Sequence, residues 1–302
     1  MRVDLGFVGL GQIGSVMAER LLHADIRLHV FDPRAAAMAA LVHAGALPAA
    51  SPRAVADAAT IIFASLPDRQ VSLDVALGRD GIAGGSAVRQ YVEMSTIGRA
   101  TMAAIDAGLQ AHGVGVVDAP VTGGVPGVRA GRLSIMVAGR GVDLDAVRPW
   151  LGRIGGRVTT LGPEPGKAQT MKLVCNLVVA ANVIVACEGL AIGAKAGLDP
   201  GQMLELISSG TARSAASSDI LPRAVLERRF DFGARTSIID KDVRLGLAEA
   251  GTLGVPTPVI AAAAELWKAA GSETALADAD FTAILTLVER LTGTRVGSTV
   301  DA

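Results

Sequence analysis

Lys172 stands four residues before Asn176, at the head of the longest apolar stretch of the chain, Leu173–Cys187. On a helix that spacing puts both side chains on one face. An amine and an amide presented together can exchange a proton with a hydroxyl group and align its oxygen. A second chemistry-bearing segment lies near the N-terminus, where Gly9-Leu10-Gly11-Gln12-Ile13-Gly14 follows an apolar run, opens a helical pattern and precedes Asp32. In a GxGxxG loop the first glycine allows a tight turn and the second lets the backbone approach a pyrophosphate. The third lets helix and strand pack closely, and the helix N-terminus favours the negative charge. Asp32 in that place accepts from ribose hydroxyls and repels a 2′-phosphate, which favours NAD. Arg34 is either a solvated arginine or a group that attracts that phosphate, so NADP stays possible.

Hydride transfer between an alcohol and a nicotinamide needs a second group for the hydroxyl proton. The inventory is short. His23, His29, His43 and His112 all lie in the nucleotide-binding half, and the only tyrosine, Tyr91, has Ser95 where a Tyr-x-x-x-Lys pair needs lysine. Two cysteines on one helix cannot make a catalytic zinc site without histidine, and no other metal set stands out. By elimination the proton falls to lysine, and none of the five lysines lies in the first 166 residues. A lysine with its ordinary pKa of about 10.4 is a poor base at neutral pH, but burial and nearby positive charge lower that value. Spacing alone leaves another reading of Lys172, a helix-end lysine bordering an amphipathic face.

These residues need elements to hold them. Short β-rich runs alternate with alanine-rich helical stretches at Val3–Val8, Gln12–Leu22, Ile26–Phe31, Arg34–Val42 and Thr60–Ser65. The rhythm continues through Val88–Met94, Arg99–His112, Val114–Asp118, Leu133–Ala138, Leu144–Ile154 and Arg157–Leu161. It is that of βαβ units on a parallel sheet, an α/β Rossmann domain. The breaker cluster Gly162-Pro-Glu-Pro-Gly166 ends it, which places the domains at 1–163 and 164–302. Beyond it a long inter-domain helix is expected from about Lys167 to Ala196, closed by Gly197. An all-α domain follows, with helices near Pro200–Ile207, Ser214–Leu226, Lys241–Leu253, Pro256–Ala270 and Asp280–Leu291 and a loose tail over the last ten residues.

At 302 residues the chain is too long for one comfortable core and suits two. A net charge of −1 with 3% aromatic residues leaves no footprint for nucleic acid. The N-terminus carries no secretory pattern, so a cytoplasmic location is expected. Leu173–Cys187 is the best membrane candidate, yet Asn176 and Asn182 interrupt it and Lys172 and Glu188 bound it, so a core or subunit-interface helix is expected instead. Cys175 and Cys187 share that helix about 18 Å apart, beyond disulfide reach, and are expected reduced.

Together these residues resemble the β-hydroxyacid dehydrogenase family, which includes 3-hydroxyisobutyrate dehydrogenases and tartronate semialdehyde reductases. Four motifs carry the resemblance: Gly9-Leu-Gly11-Gln-Ile-Gly14, Asp118-Ala-Pro-Val-Thr122-Gly123-Gly124, Gly166-Lys-Ala-Gln-Thr-Met-Lys172-Leu-Val-Cys-Asn176 and Lys241-Asp242-Val243. It implies a homodimer or homotetramer acting on a small carboxylate-bearing hydroxy acid or semialdehyde, with Lys172 catalytic and Asn176 in support. It implies that Leu66, Pro67, Val71, Thr96 and Lys241 line the cofactor. It also implies that Asp118, Thr122, Gly123, Gly124 and Asp242 meet the substrate. Thr122 replaces the family's usual serine and Ala168 its usual glycine. Arg213 either pairs with a second acidic group on the substrate or is a solvated helix-start arginine. An imine reductase, which typically replaces the lysine, and a non-catalytic dinucleotide-binding protein are the competing readings.

Overall fold

The computed structural model describes residues 2–297. Its first part runs β1 (Val3–Val8), α1 (Gln12–Glu19), β2 (Ile26–Phe31), α2 (Ala35–His43), β3 (Leu47–Pro48), α3 (Pro52–Ala58), β4 (Ile61–Ala64) and α4 (Arg69–Leu77). It continues with β5 (Gln90–Glu93), α5 (Arg99–Gln110) and β6 (Gly115–Asp118). These six strands are parallel in the order β3-β2-β1-β4-β5-β6. Helices cover both faces, so the central strands read as continuous apolar runs. Leu5, Phe7 and Phe63 fill the core on one face and Ile62, Tyr91 and Val116 that on the other. The strand order reverses between β1 and β4, and a ligand of such a sheet binds in the crevice at their carboxyl ends.

Helices α3 and α4 do not stand out in the alternation of apolar runs, though each has a cap written in the sequence. Ser51 Oγ accepts from the N–H of Ala54 at 3.1 Å, and Asp68 Oδ1 accepts from Gln70 and Val71 at 2.9 and 3.0 Å.

After β6 come β7 (Val121–Thr122), α6 (Gly124–Arg129), β8 (Ser134–Gly139), α7 (Gly141–Ile154) and β9 (Arg157–Thr160). Here the all-parallel expectation fails, because β8 runs antiparallel to both β6 and β7 and only β9 is parallel to it. A parallel return needs a crossover that carries the chain back over the sheet, and a six-residue helix is only about 9 Å long.

The rest is helical: α8 (Lys167–Lys195), α9 (Pro200–Ser209), α10 (Pro222–Leu226), α11 (Thr236–Thr252), α12 (Pro258–Ser272), α13 (Thr274–Ala277) and α14 (Ile284–Thr292). Ser214–Leu226 is not one helix. A π-turn at Ala216–Ile220 precedes α10, where Pro222 has no N–H to continue the preceding turn. The tail is tied as far as Val296, which is buried, donates its N–H to Glu289 and accepts from Arg228 at its carbonyl. Residues 298–302 of the expected loose tail lie outside the described residues. The chain forms two compact units that meet between Lys172 and Leu173, inside α8. In the second unit Val183, Ile184, Cys187 and Leu190 of α8 belong to the core around Trp267, whose indole N–H donates to the carbonyl of Ala180 at 3.1 Å. α8 is long and apolar enough to cross a membrane by length and composition, and its buried residues belong to this core. Cys175 and Cys187 are free thiols, and burial pushes that of Cys187 up to about 12.

Candidate active site

The turn from β1 into α1 is shaped by its glycines in two different ways. Gly9 has a φ of +88°, and a Cβ there would collide with the carbonyl oxygen of Ser65 at the end of β4. A Cβ on Gly14 would collide with the carbonyl oxygen of Gly9. The chain itself therefore requires those two. Gly11 differs, since nothing lies within 4 Å of where its Cβ would be. That open space beside a helix N-terminus suits a pyrophosphate approaching bare backbone.

Asp32, at the end of β2, is buried, and its Oδ2 accepts from the N–H of Leu10 at 2.9 Å. Arg34 binds the same carboxylate through its own N–H and its guanidinium at 3.0–3.1 Å, while its side chain stays 66% exposed. Burial pushes the Asp32 carboxyl up, but these donors outweigh it and hold the group below the ordinary value. A cleft of about 490 Å³ opens beside it, lined by Leu10, Gly11, Gln12, Arg34, Ala37 and Ala40. The alanines of α2 leave room there for the adenosine half of a dinucleotide. Ile13 is half-buried on α1.

The loops after β4 and β5 complete this rim. Leu66 donates its N–H to Ser95 Oγ at 2.7 Å, which ties the two loops together; Leu66, Val71 and Thr96 are half-buried and Pro67 is exposed. Behind them Glu93 is fully buried and accepts from Tyr91 Oη at 2.8 Å and from the N–H of Ser95 at 3.0 Å. Burial pushes its carboxyl above the usual range against the pull of these donors.

Asp118, at the end of β6, is fully buried, and its carboxylate is engaged by the protein. Oδ2 accepts from the N–H groups of Gly166 and Gln169 at 2.8 and 3.0 Å, and Oδ1 from Gln169 Nε2 at 2.8 Å. Through these contacts it caps the start of α8. In the turn that follows, Thr122 and Gly124 are half-buried, and Gly123 and Gly124 have φ of +121° and +59°. Gln169 is the residue that sequence reasoning missed, although it lies inside the same motif three positions before Lys172.

In the second unit Asn176 Nδ2 donates to Asp242 Oδ2 at 2.6 Å, and Lys241 Nζ lies 3.2 Å from Asp242 Oδ1. Asp242 is 3% exposed. Lys172 is half-buried on α8, one turn before Asn176. Among the described residues no group of three or more His, Cys, Asp or Glu could hold a metal ion.

Two family models match the chain. Residues 4–162 match the NAD-binding domain of 6-phosphogluconate dehydrogenase, and residues 166–288 the model described as the NAD-binding of NADP-dependent 3-hydroxyisobutyrate dehydrogenase. The chain belongs to the β-hydroxyacid dehydrogenase family. As a β-hydroxyacid dehydrogenase it is an NAD(P)-dependent oxidoreductase. It is 32% identical over 296 residues to 2-(hydroxymethyl)glutarate dehydrogenase of Eubacterium barkeri, covering 97% of each chain. Among solved structures it is similar to Mycobacterium tuberculosis 3-hydroxyisobutyrate dehydrogenase with L-serine, at a TM-score of 0.86, 27% identity and 95% and 99% coverage of the two chains. Psf3 in complex with NADP+ and 2-OPP gives a TM-score of 0.80, 27% identity and 94% and 99% coverage.

Proposed function

We propose that this β-hydroxyacid dehydrogenase interconverts a small 3-hydroxy acid and its semialdehyde, with Lys172 as general acid/base. Two observations support the reading: a glycine turn in the first unit shaped for a dinucleotide, and on α8 Lys172 one turn before an Asn176 whose amide is fixed by Asp242. Bound NAD(P) supplies the hydride acceptor for oxidation and the donor for reduction. Gly9–Gly14 and Asp32 hold its pyrophosphate and ribose, with Arg34 beside them, and Leu66, Pro67, Val71, Thr96 and Lys241 line the remainder of its site. Thr122, Gly123 and Gly124 hold the substrate carboxylate. Lys172 Nζ takes the hydroxyl proton in oxidation and returns it in reduction, while Asn176 aligns the carbinol oxygen. The names of the relatives support the substrate class, since hydroxymethylglutarate and hydroxyisobutyrate both carry a hydroxyl one carbon removed from the α-carbon of a carboxylate. Asp32 favours NAD over NADP.

A homodimer or homotetramer is part of the same reading. Val174, Val178, Val185 and Ile192 form an exposed apolar stripe at heptad spacing along α8, and a second copy of the chain offers the same stripe in return. Reduced Cys175 and Cys187 suit the cytoplasm. Nicotinamide absorbance over a panel of 3-hydroxy acids and semialdehydes tests the function, and light scattering tests the assembly. Turnover of cyclic imines but of no hydroxy acid would overturn the first, and the mass of a single chain across micromolar concentrations the second.

A further inference from the structure

Gln169 is fully buried and every hydrogen-bonding position of its amide is used. Nε2 donates to the carbonyl of Ser95 at 3.0 Å and to Asp118 Oδ1 at 2.8 Å. Oε1 accepts from the N–H groups of Ile97 and Gly98 at 2.8 and 3.1 Å. An amide has two donor hydrogens and two acceptor lone pairs, so this side chain is saturated and held from both sides. What it holds are the two segments flanking Thr96 and the strand-end acid that caps α8. One helical turn further on, the same helix carries Lys172. From this geometry we infer that Gln169 is the positioning residue for Lys172, locking the first turn of α8 to the loop after β5 so that the lysine keeps one place relative to the cofactor rim. The inference rests on the acid/base reading of Lys172.

Simple space-filling does not need this arrangement. An apolar residue of similar size would fill the volume, and a buried amide is retained at the cost of desolvation only if its four bonds are made. The charged or titratable groups around it are Asp118 on β6, Glu93 with Tyr91 on β5, Arg99 at the start of α5, and Lys167 and Lys172 on its own helix. Asp118 and Glu93 are register partners on adjacent strands. A third buried carboxyl placed among them would be tolerated only with a proton on it or on Asp118.

That chemistry supplies the test. Gln169→Glu keeps the size and the acceptor for Ile97 and Gly98, loses the donation to the Ser95 carbonyl, and shares a hydrogen bond with Asp118 only when the new carboxyl pair holds a proton. Gln169→Leu loses both halves. Turnover, NADH affinity by fluorescence and thermal melting are measured at pH 5.5 and 8.5 for the native enzyme, both variants and Lys172→Ala. The expected result is that kcat of Gln169→Glu, relative to native, falls as pH rises. A loss on the order of 10²-fold is the size expected for about 1 Å of misplacement at the reacting centre. Gln169→Leu should be low at both values, and NADH affinity of Gln169→Glu should stay near native because the Ile97 and Gly98 contacts survive. A pH-independent ratio for Gln169→Glu, native turnover by Gln169→Leu, or an activity loss that merely tracks loss of folded protein would each overturn the inference. If Gln169→Leu does not fold, the Gln169→Glu ratio decides alone. Near-native turnover by Lys172→Ala would instead overturn the acid/base reading, so the two failures are distinguishable.

Discussion

Asn176 Nδ2 lies 2.6 Å from Oδ2 of Asp242, and because a buried carboxylate can only accept, the contact fixes which end of the amide faces it. The carbonyl end of Asn176 is thereby assigned to the opposite side. Removing the acid frees the amide to rotate, so Asp242→Ala should lower kcat by about 10- to 100-fold with little change in cofactor affinity. Steady-state kinetics with a melting curve checks this. Native kcat in a folded Asp242→Ala would show that Asn176 needs no such partner.

The glycine loop predicts two opposite phenotypes from one kind of substitution. In Gly14→Ala the new methyl collides with the carbonyl of Gly9, so the variant should be destabilised whether or not cofactor is present. In Gly11→Ala the methyl meets nothing in the folded chain, so the melting temperature should hold while dinucleotide affinity drops. Thermal melts with and without NADH separate the two. Equal destabilisation by both would mean that Gly11 serves the turn and not the ligand.

This difference also shows what was legible in the sequence. The glycine spacing, Asp32 and the Lys172–Asn176 pair are local patterns, and one stretch of chain suffices to read them. The roles of Asp118 and Asp242 are not local. Each acid sits in a motif that promises a ligand, and only the fold shows that it also bonds a partner 51 or 66 residues away. Gln169 escaped notice because a glutamine on a helix is usually a solvated residue, and its burial depends on where β5 and β6 end. The antiparallel β8 was hidden for a similar reason, since its apolar run reads the same in either direction.

For the cofactor, Asp32 is already turned toward the loop by Leu10 and flanked by Arg34. kcat/KM should favour NAD over NADP, and Asp32→Ala should narrow the preference mainly by weakening NAD. Measuring both cofactors with both proteins decides it. A native ratio favouring NADP would show that the 66% exposed Arg34 leaves Asp32 to bind the 2′-phosphate.

Asp118 makes stability depend on pH in a stated direction. Burial pushes its carboxyl from 3.8 up to about 6, although Gln169 and Gly166 pull the other way. Between those values the folded chain binds a proton that the unfolded chain has released, so the contribution is complete below about pH 4 and declines as pH rises through about 6. Asp118→Asn has no such titration, and its NH2 must face either the N–H groups of Gly166 and Gln169 or Gln169 Nε2, a donor against a donor, so it should melt lower. The gap in Tm between native and variant is expected to be widest in acid and to narrow by pH 7. A gap that does not vary with pH would show that burial does not control this carboxyl.

Lys172 carries the strongest prediction, because elimination among the side chains and the position on α8 lead to it separately. A positioned acid–base group typically contributes about 10²–10⁴-fold, so Lys172→Ala should lower kcat by at least about a hundredfold in both directions. Cofactor affinity should change little, since the Gly9–Gly14 loop and Asp32, proposed to hold the dinucleotide, belong to other elements. On the proposed mechanism the pH dependence of kcat/KM for oxidation should also change, because the proposed proton acceptor is gone. Lys172→Arg, which keeps a positive charge but cannot be deprotonated in the working range, should remain slow and so separates proton transfer from electrostatic attraction of the carboxylate. Near-native turnover by either variant, with NADH binding intact, would remove lysine from the proton path and make Lys241, 3.2 Å from Asp242, the next residue to substitute.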